Sequence, residues 1–205
     1  MHLPDDRHPV IEIDGGETVI RRHIHLMMHK PAGVVTALED ARHPTVAGLI
    51  PMIFQNKGIT PVGRLDIDVT GLLLLTSDGV LAHRLASPRW KIDKTYRIQY
   101  EGPPFSDIDR RMFSAGLVLL DGTVCRPAEL EPAADGLAFL TIHEGRFHQV
   151  KNMVKASGRN LTALCRLRTG PLSLDPGLDP GDCRELEKEE ADALYASAML
   201  DPDRE

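Results

Sequence analysis

Three stretches of the chain hold side chains whose types could do chemistry together. In Gly63-Arg64-Leu65-Asp66-Ile67-Asp68-Val69-Thr70-Gly71, two carboxylates stand two residues apart beside an arginine, and the glycines permit close backbone approach around a loop. Lys94-Thr95-Tyr96 sets an aromatic hydroxyl near an amine, and Glu144-Gly145-Arg146-Phe147-His148-Gln149-Val150-Lys151-Asn152-Met153 concentrates cations. A carboxylate beside an ammonium is favoured in its charged form and can act as base or nucleophile. The same residues leave a second chemistry open, metal-dependent phosphodiester cleavage on Asp66, Asp68 and nearby histidines. His23, His25 and His29 share one parity and could face one side of a strand, yet no matching Cys, Asp or Glu cluster accompanies them. That favours a polar strand face over a metal site. Each stretch alone also fits a structural role: a loop aspartate, a core tyrosine, a lysine on a polar helix face.

These groups need elements to position them. His25-Leu26-Met27-Met28-His29 reads as a strand entering the Lys30-Pro31-Ala32-Gly33 turn and resuming at Val34-Val35-Thr36, with a helix over 45–49. The run Leu72-Leu73-Leu74-Leu75-Thr76 is too short for a helix and is bounded by glycines, so a buried strand directly follows the Asp66 segment. Residues 80–86 have helical spacing that stops before Ser87-Pro88, because the residue preceding a proline is steered away from helical geometry. Residues 95–100 alternate as a strand, and Ser106 caps a helix over 107–115 that Gly116 ends. Asp121-Gly122 predicts a hairpin between 117–120 and 123–125, followed by strands over 128–131 and 137–143. A helix over 147–157 would bury Phe147, Val150 and Val154 and set His148, Lys151 and Lys155 on the neighbouring face. A strand over 161–167 and an acidic helix over 187–198 complete the pattern. Strands and helices without regular alternation predict an α+β fold with a mixed, largely antiparallel sheet and flanking helices.

The chain of 205 residues is long enough to bury one core. Residues 1–22 read as a leader or the remnant of an appended module, 23–198 as one catalytic domain and 199–205 as an acidic tail. No apolar run approaches a membrane span and the start lacks signal-peptide features, so a cytoplasmic location is expected. Cys125, Cys165 and Cys183 stand far apart in no paired spacing, which predicts reduced thiols. The net charge of −6 is unevenly spread, since 182–205 holds nine acids against three bases. Elsewhere Arg84, Arg89, Lys91, Lys94 and Arg97 oppose only Asp93, and six cations over 144–168 oppose only Glu144. Phosphate is attracted by such local patches rather than by the total charge.

Taken together, the three stretches resemble the signature of the RsuA-like rRNA pseudouridine synthase family. The likeness runs from about Leu26 to Leu186 in family order and includes Lys30-Pro31-Ala32-Gly33-Val34-Val35, Gly170-Pro171-Leu172 and Pro180-Gly181-Asp182-Cys183-Arg184-Glu185-Leu186. The resemblance implies a central active-site cleft in which Asp66 is the catalytic carboxylate, Tyr96 stacks on the uracil and Lys151 pairs with Asp66. Arg64 would fill the place vacated by the flipped base or contact phosphate, and Asp68 would structure the turn. Asn152 departs from the family pattern, where a second cation is usual. Arg89, Lys91, Lys94, Lys155 and Arg166 are candidates to track the RNA backbone, with Arg146, His148 and Gln149 as further RNA contacts. The reaction implied needs no metal and no organic cofactor, and the implied partner is ribosomal RNA or a pre-ribosomal particle met by a monomer. The segment 87–96 is more similar to the 16S than to the 23S rRNA branch, with the same reaction on 23S rRNA, or a non-catalytic rRNA-binding assembly factor, as the alternatives. Many members carry a small N-terminal RNA-binding domain, and the roughly 25 residues that precede the body are expected to be too few for a whole one.

Overall fold

The computed structural model describes residues 10–13, 16–19 and 22–202. The expected leader and acidic tail therefore lie partly outside the described residues. Within the leader, β1 (Val10–Ile13) and β2 (Gly16–Val19) form a two-stranded antiparallel sheet. Gly15-Gly16 reads in the sequence as a turn; Ile13 pairs with Gly16, so Gly16 opens a strand, and residue 15 lies outside the described residues.

The body begins with β3 (His25–Lys30), β4 (Thr60–Pro61) and β5 (Thr70–Thr76), then α1 (Gly79–Ala86), β6 (Lys94–Glu101) and α2 (Asp107–Ala115). It continues through β7 (Glu129–Ala134), β8 (Leu137–Ile142), α3 (Gln149–Ala156), β9 (Asn160–Thr169), β10 (Leu172–Ser173), β11 (Cys183–Glu185) and α4 (Lys188–Ser197). One nine-stranded sheet runs β11-β3-β5-β9-β6-β8-β7, with β10 on β9 and β4 on β5. All its pairings are antiparallel except β5 with β9, which meet in parallel through Thr70 opposite Cys165 and Gly71 opposite Arg166. That junction joins the two halves of the sheet, and the candidate site sits beside it.

Alternation along β3 and β5 feeds two cores. Leu26, Met28, Leu73 and Leu75 face one core with Ile98, Phe113, Leu140, Met153 and Val154. Met27, Leu72 and Leu74 face the other with Leu81, Leu85, Leu194 and Tyr195 of α1 and α4. Leu72 to Leu75 are all essentially inaccessible to solvent, and each buried leucine contributes roughly 1.5–3 kcal/mol. The strand leaving the Asp66 loop is thus a rigid anchor.

Local capping follows the expected chemistry. Ser106 and Asp109 form a reciprocal capping box on α2, and the Asp78 carboxylate accepts from the Val80 and Leu81 amides at the start of α1. Three expectations require correction. The helix over 45–49 is one 3-10 turn, Val46–Leu49, whose cap residue Thr45 makes no side-chain bond. The resumed strand after Gly33 is a single bridge from Val35 to Thr45. The hairpin around Asp121-Gly122 turns as expected, with Gly122 at φ 82, but narrows to one bridge between Val118 and Val124. Leu117, Leu119 and Cys125 turn into the core, while Val118, Leu120 and Val124 face solvent.

Candidate active site

The loop carrying Asp66 is pinned on both sides by the segment leaving β3. Thr36 Oγ1 donates to the Leu65 carbonyl at 2.8 Å and accepts from the Leu65 amide at 3.1 Å. The Gly33 amide donates to the Ile67 carbonyl at 2.7 Å, and the Val69 amide closes a turn onto the Asp66 carbonyl at 3.1 Å. Lys30 is completely buried, and its Nζ donates to the Val69 and Pro31 carbonyls at 2.8 and 2.9 Å. Burial pushes its amine down to about 8, against the opposing pull of Asp68 and Asp66. Sequence reading missed this residue; the available signal was a lysine ending an apolar strand run. Gly71 is required by close approach: at φ +107, an added Cβ would lie 2.2 Å from the Arg166 carbonyl oxygen.

The cation comes from α3. Lys151 Nζ stands 3.0 Å from Asp66 Oδ2 and 2.7 Å from Asp68 Oδ1, while His148 Nε2 lies 3.5 Å from Asp66 Oδ2. Asp68 is therefore more than a turn former, because it shares the ammonium with Asp66. Burial alone would raise the Asp68 carboxyl, but the Lys151 hydrogen bond and charge hold it below the ordinary carboxylate range. Burial likewise opposes the charge on Lys151, and bonds to Asp68 and Asp66 outweigh it, holding the ammonium above its usual value. Tyr96, buried on β6, lines the same cleft as Arg64, Asp66, His148 and Lys151. The cleft is open to solvent, and Val69, Ile142, Val150 and Leu164 form its apolar lining. A carboxylate, an ammonium and an aromatic ring thus converge on one cleft. The geometry suits proton abstraction or nucleophilic attack on a planar ring or its sugar.

Several proposed RNA contacts are placed otherwise. Arg166 is 3 % exposed and spends its Nε on the Leu72 carbonyl at 2.8 Å, so it braces β5 against β9 and cannot meet a phosphate. Gln149 is buried: its amide donates to Glu144 and accepts from the Arg146 backbone, holding the loop before α3. Lys94 is partly buried, donates to the Ile92 carbonyl and is pushed by burial and Arg166 to about 8, which makes it a weak phosphate partner. Arg64, Arg89, Lys91, Arg146 and Lys155 remain exposed. In the wider basic patches, Arg159 is committed to Asp109 and three backbone carbonyls, and Arg84 to the carbonyls of Ala198 and Met199.

Phe147 is also corrected. It lies outside α3, is 81 % exposed and stacks on His148. His148 takes φ 49 and ψ 30, and this left-handed step starts the helix at Gln149 and turns Phe147 away from the core. Of the three histidines, His25 bonds Thr76, His29 bonds the Leu178 carbonyl and His23 approaches Asp78 at 3.9 Å.

Residues 24–156 match the family described as RNA pseudouridylate synthase. The chain is 43% identical over 187 residues to the "Uncharacterized RNA pseudouridine synthase YtzG" of Bacillus subtilis, covering 87% of this chain and 77% of that protein. It is 39% identical over 186 residues to the ribosomal small subunit pseudouridine synthase A of Vibrio cholerae, covering 90% and 80%. A crystal structure of a pseudouridylate synthase superposes with a TM-score of 0.78 at 32% identity, covering 90% of this chain and 83% of that one.

Proposed function

This chain belongs to the RNA pseudouridylate synthase family, and from that premise we propose that it isomerises a uridine of 16S ribosomal RNA to pseudouridine. The likeness to small-subunit synthases supports the choice of RNA. The observation that carries the mechanism is the Lys151–Asp66 ion pair at 3.0 Å in a cleft walled by Tyr96.

The reaction breaks the bond from N1 of the base to C1′ of the sugar. The base turns without leaving, C5 bonds to C1′, the proton on C5 departs and N1 takes up a proton, so the product is an isomer of the substrate. Atoms are rejoined with no net oxidation, so no cofactor is called for. A stacked nucleotide cannot bring its glycosidic bond to Asp66, so the target is extruded into the cleft. There the Tyr96 ring packs against the uracil and Lys151 holds the Asp66 carboxylate in an ion pair. Attack on the sugar, attack on the ring and abstraction of a sugar proton all begin from that carboxylate. Arg64, Arg89, Lys91, Arg146 and Lys155 guide the strand through its phosphates. The enzyme works as a cytoplasmic monomer on ribosomal RNA or a pre-ribosomal particle.

Mapping pseudouridine at nucleotide resolution in ribosomal RNA from cells with and without the protein tests activity and site together. Loss of one 16S position on deletion, restored by wild type and not by Asp66→Asn, is the expected result. Restoration by Asp66→Asn, with RNA affinity near normal in both, would remove the carboxylate from the chemistry.

A further inference from the structure

Phe147 is the aromatic among the large apolar side chains exposed on the described surface, at 81 %. Its ring lies 3.7 Å, centroid to centroid, from the His148 imidazole, with 21° between the planes. His148 in turn lines the cleft and reaches to 3.5 Å from the Asp66 carboxylate. Outward from the catalytic group, the order is therefore imidazole, phenyl ring, solvent. The stack covers one face of the phenyl ring and leaves the other open. Arg146, half exposed beside it with its Nε 3.3 Å from the buried Glu144 carboxylate, keeps the rest of its guanidinium toward solvent, where it favours a phosphate-linked ligand over a neutral one. The left-handed backbone at His148 holds the pair at the rim in place of a helical phase that would bury Phe147.

An exposed ring beside a basic cleft has an evident complement in an unpaired nucleobase, whose π face stacks on aromatic side chains whatever its sequence. Extruding one nucleotide also strips its neighbours of a stacking partner, which this ring can replace. We propose that the outer face of Phe147 is a stacking subsite for the nucleobase next to the target uridine, with His148 as its backing. The subsite grips the strand without reading it. The inference rests on the pseudouridine synthase reading above.

The test is a cycle between protein ring and RNA base. A fragment of 16S rRNA carrying the mapped uridine is made intact, and with an abasic nucleotide immediately 5′ or 3′ of that uridine. In single-turnover reactions, Phe147→Ala and Phe147→Leu should raise the half-saturating RNA concentration about tenfold, and Phe147→Trp should stay near wild type. Removing one flanking base should cost wild type a similar factor and cost Phe147→Ala almost nothing. Losses that multiply independently at both flanks, or a leucine variant as good as tryptophan, would overturn the subsite. Conversion of the uridine by wild type, followed in the same reactions, reports separately on the reading beneath it. If wild type converts nothing, reading and subsite fall together; if it converts while the cycle shows no coupling, only the subsite falls.

Discussion

Replacing Lys151 by methionine removes an ammonium 3.0 Å from Asp66 while keeping a side chain of similar length. Both partners of that pair are only partly accessible, with side-chain exposures of 24 % and 32 %. At such a site, with an effective dielectric between that of bulk water and a protein surface, the Coulomb term is about 1.5–3 kcal/mol after allowance for solvent screening. If that stabilisation is available to the reacting carboxylate, the variant loses about ten- to a hundredfold in single-turnover rate. A second consequence comes from Asp68, which holds the same ammonium at 2.7 Å. Without Lys151 its uncompensated charge repels the Asp66 anion, so adding Asp68→Asn to Lys151→Met should restore part of the loss, severalfold at low salt. Because Asp68 is 65 % exposed, this recovery should shrink as salt is raised. Pseudouridine formation under saturating enzyme, at low and high ionic strength, is the assay. A Lys151→Met rate within threefold of wild type, or a double variant no faster than the single one, would refute the electrostatic account.

Gly71→Ala would drive a methyl group to 2.2 Å from the Arg166 carbonyl at a φ of +107; a loss of about 3 kcal/mol or more is expected, read as a large fall in Tm, and an unshifted Tm would contradict the close approach. Lys30 titrates at about 8 in the fold against an ordinary value of 10.5. Its burial penalty is therefore complete below pH 8 and is relieved as pH rises toward 10.5, where the unfolded chain binds more protons. Denaturant unfolding should show wild type gaining on Lys30→Met from pH 7 to pH 10, by roughly 3 kcal/mol at most, whereas a constant or shrinking difference would mean that the amine is not held in its low range.

The chain's local chemistry was legible before any fold was known. The Leu72–Leu75 run with its glycine boundaries specified a buried strand, Ser106 specified the start of α2, and Ser87-Pro88 specified the end of α1. These outcomes depend on residues within one turn or one strand of each other, where steric and capping preferences act directly. The order and spacing of the three motifs likewise identified the family and put Asp66, Tyr96 and Lys151 forward as one site. What tertiary structure alone decided were relations across many residues. Lys151 meets Asp68, 83 positions earlier, because the parallel β5–β9 junction and the helix preceding β9 bring them together. Arg166 carries the same charge as Arg64, yet the register opposite Gly71 buries it against the Leu72 carbonyl. Phe147 has the spacing of a core residue, and one left-handed residue at His148 shifts the helix start and leaves the ring in solvent. Spacing predicts a face only where the element is continuous, and charge predicts a phosphate contact only where the side chain stays in water.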